Sequence, residues 1–206
     1  MADVDDGALL EQWRGGDAGA GETLVRRHMD VLYRFFRTKV DRDVDELIQK
    51  TWLSLLEAKA PFRGDSAFRT FLLGFARMKL LERFRADRRE GERFDWGTVS
   101  IADLGISPSR WIAEREEHRL LLQALRRIPF DHQVALELYY FESLDSRQIA
   151  EVLGVSPNTM RSRLVRARAA LESMLRSLEA EGAAIESTAA DLEGWARSLK
   201  AVVDAS

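Results

Sequence analysis

Cysteine is absent from the 206 residues, and proline occurs only four times. The first absence removes disulfides, zinc fingers and thiol catalysis together. The second, beside abundant Ala, Leu, Arg and Glu, favours long uninterrupted helices. No apolar run approaches the ~20 residues that cross a bilayer. The acidic start Met1-Ala2-Asp3-Val4-Asp5-Asp6 also lacks the basic-then-apolar order of a secretory signal. A protein that stays in the cytoplasm, off the membrane, is expected. Histidine is nearly as scarce: His28, His118 and His132 stand far apart. No metal-ligand pair, nucleophile elbow or dinucleotide fingerprint accompanies them. These gaps argue against an enzyme and against a bound cofactor or metal.

What is present is a charge-rich composition with enough apolar residues for a core: 46% hydrophobic, 32% charged, formal net charge −3. The net figure hides an uneven distribution, and a polyanion responds to the local field. From residue 147 to 176 the bases Arg147, Arg161, Arg163, Arg166, Arg168 and Arg176 face only Glu151 and Glu172.

Apolar residues recur at helical spacing through the first half: Leu9, Leu10 and Trp13, then Leu24, Val25, Val31, Leu32, Phe35 and Phe36. The turn between them, Gly15-Gly16-Asp17-Ala18-Gly19, is no phosphate loop, because neither a preceding strand nor a Gly-Lys-Ser/Thr accompanies it. A third helix is predicted over about 43–59, with Val44, Leu47, Ile48, Thr51 and Leu55 near one face and Pro61 ending it. A fourth follows Phe62-Arg63-Gly64-Asp65-Ser66 and runs through Phe71, Leu72, Phe75, Leu80 and Phe84. Between Ala86 and Ile106 the periodicity lapses into charge and glycine, which suits a linker. Helices resume at about 109–128, 131–141, 146–153 and 156–180. Ser146 reads as an N-cap, Gly154 as a closing C′ glycine, and Ser156-Pro157 as the start of the next helix. Two helices joined by Gly154-Val155-Ser156 make a helix-turn-helix. Its second helix projects Arg161, Ser162, Val165 and Arg166 from about one side, as a major groove and its phosphates require.

Three segments carry a family resemblance: Ile128-Pro129, Tyr140-Phe141-Glu142-Ser143-Leu144, and the helix-turn-helix ending Arg161-Ser162-Arg163-Leu164-Val165-Arg166-Ala167-Arg168. Together they resemble domain 4 of extracytoplasmic-function sigma factors of the sigma-70 family. The resemblance implies −35 promoter contacts from Arg161, Ser162, Arg163, Val165 and Arg166. Asp43-Val44-Asp45-Glu46-Leu47-Ile48-Gln49-Lys50-Thr51-Trp52 is similar to the acidic helix of domain 2, which in the family binds the β′ coiled coil of RNA polymerase. It implies polymerase contacts from Asp45, Glu46, Gln49, Lys50 and Leu53. Phe62-Arg63-Gly64-Asp65-Ser66-Ala67-Phe68-Arg69 and the helix behind it resemble the −10 recognition elements. That implies DNA contacts from Arg63, Ser66, Phe68, Arg69, Arg77, Met78, Lys79 and Arg83. Arginines beside aromatic side chains suit an unstacked single strand, while Phe62, Phe68 and Phe71 taken one by one suit a core better.

Two residues depart from the family pattern. Met78 stands where asparagine is usual, and Lys50 where an acid is common on the polymerase-binding helix. Phosphorylation of the neighbouring Thr51 by a Ser/Thr kinase would offset Lys50, although helical spacing also suits a buried Thr51 bonded one turn back. The expected architecture is all-α: domain 2 over 1–86, a flexible linker over 87–108, domain 4 over 109–176, and an acidic amphipathic C-terminal helix over 177–206. In that last segment Ile185, Leu192, Trp195, Leu199 and Val202 recur at helical spacing. Implied partners are core RNA polymerase through its β′ coiled coil and β flap, promoter DNA, and an anti-sigma factor or kinase as regulator. The competing reading is a helix-turn-helix regulator working on duplex operators without polymerase. Residues 43–85 argue against it.

Overall fold

The structure is a computed structural model that describes residues 5–58, 62, 67–86, 95–105, 116–180 and 194. Among them are eight helices and no strand: α1 Asp6–Arg14, α2 Ala18–Arg37, α3 Val44–Glu57, α4 Phe68–Ala86, α5 Glu116–Arg127, α6 Phe130–Tyr140, α7 Ser146–Leu153 and α8 Pro157–Ala180. The all-α, two-domain architecture expected from periodicity is what the chain adopts. The acidic C-terminal segment lies outside the described residues, except for the end of α8 and Gly194.

The glycine-rich turn is a packing device. Asp17 caps α2 by accepting from the Gly19 and Ala20 amides at 2.9 and 3.2 Å, which offsets two of the donors that every helix start leaves unpaired. Gly21, one turn inside α2, lies so close to α1 that a Cβ there would come within 2.5 Å of the Trp13 indole. Helices α1 to α4 bury Leu10, Leu24, Leu32, Phe36, Leu47, Leu55, Leu72 and Leu80 among themselves. Helices α5 to α8 do the same with Leu122, Val134, Leu138, Ile149, Met160, Leu164 and Leu171.

The two bundles meet, with α4 packed on α7, and their buried apolar residues form one continuous cluster. Within the interval expected as linker, residues 95–105 lie in this seam. Trp96 is 8% exposed and Ile101 fully buried. The Trp96 ring sits 5.9 Å from Phe84 at the end of α4 and 5.4 Å from Phe130 at the start of α6, and those two rings are 5.7 Å apart. Backbone bonds hold the segment: the Phe130 amide donates to the Val99 carbonyl at 2.8 Å, Asp131 to Trp96 at 3.0 Å, and Ala102 to Arg126 at 2.9 Å. Composition alone suggested a linker here because polar and turn residues outnumber the two apolar anchors. Trp96 and Ile101, together with these backbone bonds, dock it.

The rest of the seam is ionic. Arg34 and Lys39, at the end of α2, meet Glu142 and Glu137 of the second bundle, and all four are buried. Burial is the first cause holding the Lys39 ammonium below its ordinary 10.5, against the pull of Glu137.

Phe130→Ala removes the ring shared by both bundles and leaves a cavity against Phe84 and Trp96. The expected loss is about 3–5 kcal/mol in urea unfolding. A loss below ~1 kcal/mol would mean that the aromatic cluster does not hold the seam.

Candidate nucleic-acid and polymerase-binding surfaces

Helix α3 divides its residues by burial. Leu47, Ile48, Thr51, Trp52 and Leu55 face the core, so Asp45, Glu46, Gln49, Lys50 and Leu53 are left outside. Glu46, Gln49, Lys50 and Leu53 follow the i, i+3, i+4, i+7 order of one helical stripe. Leu53 is 49% exposed at its end, an apolar side chain set among charges. Lys50 pairs with Glu46 one turn back, so the cation cancels one carboxylate of the face that carries it. Thr51 is fully buried and its hydroxyl donates to the Leu47 carbonyl at 2.7 Å. A kinase cannot reach it while α3 is folded, and the phosphorylation expected there is not supported by its position.

Helix α4 carries Arg69, Arg77, Met78, Lys79 and Arg83, whereas Arg63 and Ser66 lie outside the described residues. Met78 is 41% exposed and, with Phe71, Gly74, Phe75 and Thr70, lines an open apolar pocket of about 360 Å³ that Glu151 of α7 borders. Phe68 is core: 5% exposed, its ring is 5.0 Å from His28 and 5.5 Å from Phe62. It is not placed to stack on a base. Four cations of α4 are engaged. Lys79 bonds Glu82 at 2.9 Å, Arg83 reaches Asp43 at 3.1 Å, and Arg77 reaches Asp131 of the second bundle at 2.8 Å. Arg69 stands 3.7 Å from Glu142.

The helix-turn-helix forms as its caps dictate, with one shift. Asp145, not Ser146, is the N-cap of α7. Its carboxylate accepts from the Arg147 and Gln148 amides at 2.8 and 2.9 Å, while the Gln148 side chain accepts from the Asp145 amide at 3.0 Å. This is a complete capping box, and it favours Asp145 over the adjacent serine because Gln148 stands at N3 from Asp145, where a Ser146 cap would have Ile149. Gly154 ends α7 at φ 68°, where a side chain would be strained. The Ser156 hydroxyl accepts from the Thr159 amide at 3.1 Å and starts α8.

On α8, Met160, Leu164 and Ala167 turn into the bundle. Arg161, Ser162, Val165 and Arg166 therefore all face solvent, with Val165 65% exposed. Arg163 separates from this stripe and donates to Asp131 at 2.8 Å. Arg168 lies over the Tyr139 ring at 4.7 Å and bonds the Tyr140 hydroxyl at 3.1 Å, which anchors the helix to α6. Asp131, Glu137, Glu142, Arg34 and Lys39 were not anticipated as partners. A signal did exist: Arg34 interrupts the apolar run from Val31 to Phe36, which marks a cation inside a buried face.

His132 sits beside α8, half-buried, with no hydrogen-bond partner for its Nδ1. Burial first, then the Arg163 and Arg166 guanidiniums, pushes its pKa below the ordinary 6.5, against the weaker pull of Asp131. Among the described residues no group of acidic, His or Cys side chains could hold a metal, and no helix is long and apolar enough to cross a membrane.

Two family descriptions match the chain, "Sigma-70 region 2" over residues 24–90 and "Sigma-70, region 4" over residues 118–171. RNA polymerase sigma factor NccH of Alcaligenes xylosoxydans xylosoxydans is 31% identical, with 84% of this chain and 95% of that protein aligned. The RNA polymerase sigma-H factor of Pseudomonas aeruginosa is 30% identical, with 86% and 97% aligned. Among solved structures, CnrH in complex with the cytosolic domain of CnrY superposes with a TM-score of 0.59 at 25% identity, covering 84% of this chain and 97% of that one.

His132 gives a pH dependence with a definite sign. Its folded pKa lies below its unfolded one, so the unfolded chain binds more protons below about 6.5 and stability falls on acidification. His132→Gln should flatten that part of the decline between about pH 7 and 5 in chemical denaturation. An identical pH profile in the variant would show that the imidazole titrates alike folded and unfolded.

Proposed function

The chain belongs to the sigma-70 family of RNA polymerase sigma factors, as an extracytoplasmic-function member, and on that premise we infer how its surfaces divide the work of recognising a promoter and starting transcription. The observation that carries the assignment is the outward stripe Arg161, Ser162, Val165 and Arg166. It is held on a doubly capped helix-turn-helix inside the region 4 match. Two arginines on adjacent turns can bond guanine edges or phosphates, Ser162 adds a short hydroxyl, and Val165 offers apolar contact to a thymine methyl. This helix reads the −35 element.

Helix α4 and the 62–67 segment before it serve the −10 element. Arg69, Arg77 and Lys79 supply the charge, and the pocket walled by Phe71, Phe75 and Met78 supplies an apolar surface for an unstacked base. Met78 can stack but cannot donate or accept hydrogen bonds as an asparagine would, so it selects a base by shape. The exposed face of α3, with Asp45, Glu46, Gln49 and Leu53, takes the basic coiled-coil surface of the polymerase β′ subunit, and the second bundle takes the β flap. Leu53 is the apolar anchor of that contact. The chemistry of transcription stays with the polymerase, where this protein supplies recognition and strand capture. The solved complex of CnrH with the cytosolic domain of CnrY supports a protein regulator of the anti-sigma kind for this chain as well.

Run-off transcription with core polymerase and genomic templates, followed by sequencing of transcript starts, tests the assignment. Promoter-specific transcripts are expected, and none with active core would overturn it. In the same assay Arg161→Ala or Arg166→Ala should weaken promoter binding by about 1–3 kcal/mol where a base edge is read, or reduce the salt slope where a phosphate is met. Lys50→Glu should tighten core binding, most at low salt, by freeing Glu46 and reversing one charge on α3. Binding unchanged by this reversal at two ionic strengths would remove α3 from the polymerase contact.

A further inference from the structure

We propose that the pocket between α4 and α7 is a binding site for a small arylalkyl amine, protonated at neutral pH, and that such a ligand competes with the unstacked base for the same walls. The competition rests on the −10 reading of α4 given above. The site itself does not.

Thr70, Phe71, Gly74, Phe75 and Met78 fall at i, i+1, i+4, i+5 and i+8 of α4, so they form one stripe about 12 Å long at 1.5 Å per residue. Glu151 of α7 stands at its border, and the volume of about 360 Å³ lies in the range that holds small organic ligands. This space exists because position 74 has no side chain. A Cβ on Gly74 would meet nothing within 4 Å, whereas one on Gly21 would strike Trp13. No close approach of helices therefore calls for the glycine, and inside a helix it costs stability relative to alanine.

Two polar groups define the occupant. Thr70 is 2% exposed, and its hydroxyl has no hydrogen-bond partner among the described residues. Thr51 on α3 returns its hydroxyl to the carbonyl one turn back. Thr70 makes no such bond, so a hydroxyl stripped of water is left for another partner. Glu151 is exposed and carries no ion pair among the described residues. The walls beside it are apolar: the Phe71 and Phe75 rings pack edge to face at 5.1 Å, and the Met78 thioether adds a polarizable surface. A carboxylate next to phenyl faces attracts a cation through its charge and through the ring quadrupoles. One carboxylate is too few for a hard metal ion, an anion would be repelled, and water needs several polar partners that these walls lack. An apolar body with a positive end and a hydrogen-bonding group for Thr70 meets every feature of the pocket.

The full chain labelled with carbon-13 at its five methionine methyls reports the site directly, since Met78 lines it and Met160 is fully buried in the second bundle. Three probes share a phenol ring and differ at the other end: tyramine carries an ammonium, p-ethylphenol no charge, and p-hydroxyphenylpropionate a carboxylate. Tyramine should shift the Met78 methyl saturably in the millimolar range, as expected for about ten non-hydrogen atoms, and leave Met160 unmoved. It should bind more tightly than p-ethylphenol, with the carboxylate weakest. Glu151→Gln should weaken tyramine by about two- to fivefold, the worth of a partly exposed ion pair, and leave p-ethylphenol unchanged. Gly74→Leu should fill the pocket and abolish saturable binding. If circular dichroism shows that it disturbs the fold, Thr70→Val takes its place and should narrow the gap between tyramine and phenethylamine, which lacks the phenol hydroxyl. A Met78 methyl that tyramine leaves unmoved overturns the proposal, as does a Glu151→Gln affinity equal to wild type. Equal affinity for the ammonium and carboxylate probes also overturns it and makes the pocket a general apolar contact for a partner protein. Tyramine should further lower promoter-specific run-off transcription, with Glu151→Gln needing several times more. Binding in the expected order with transcription unaffected keeps the ligand site and removes the pocket from the −10 contact.

Discussion

Glu137 is buried in this protein with one oxygen held by Lys39 and Thr38 of the other bundle and the other accepting from Gln133 one turn before it on α6. An unpaired carboxylate removed from water costs several kcal/mol, so each of the acids along α6 dictates where a cation of the first bundle must stand. Arg126 is bound by the same constraint from the opposite direction. Burial pushes its pKa down to about 10, still protonated at neutral pH, and its guanidinium donates to the Thr38 carbonyl at 3.3 Å beyond the end of α2. The relative placement of the bundles follows from satisfying these charges together, with the aromatic cluster as the apolar part of the contact.

The proposed binding surfaces are what this packing leaves uncovered. On α3 the core takes every position with a large apolar side chain except Leu53, and the remainder is a polar stripe broken by that leucine. On α8 the core takes Met160, Leu164 and Ala167, so the helical period pushes Arg161 and Arg166 outward together. Arg163, two residues from Arg161, comes out on a different side and finds Asp131. One helix thereby carries both an exposed stripe and a cation already committed to a carboxylate.

Much of this was legible in the chain. The run of amphipathic segments predicts all eight helices, and α7 matches its expected bounds. Gly154, Ser156 and Pro157 announce the turn and the start of α8 through local chemistry that needs no tertiary context. The choice of Asp145 over Ser146 as cap depended on Gln148 folding back to the Asp145 amide, which a list of good capping residues does not rank. Phe68 and Thr51 show the limit of reading a site by motif, since both lie within resemblance segments and both are core. The 95–105 segment shows the limit of composition, because buried Trp96 and Ile101, Leu104 packed beside them and backbone bonds to the second bundle dock a stretch that averages as linker.

The sequence by itself determined the elements and the outward stripe on α8. Helical periodicity and caps are local, and a stripe of arginines opposite Met160 and Leu164 faces water whatever the rest of the chain does. Only the tertiary structure decided which charges meet. Glu137 and Lys39 are separated by 98 positions, and Arg34 and Glu142 by 108. No pattern within one helix distinguishes a carboxylate that will be solvated from one that will be buried against a distant cation. Its energy depends on the dielectric and the partner around it, and both are set by how the bundles pack.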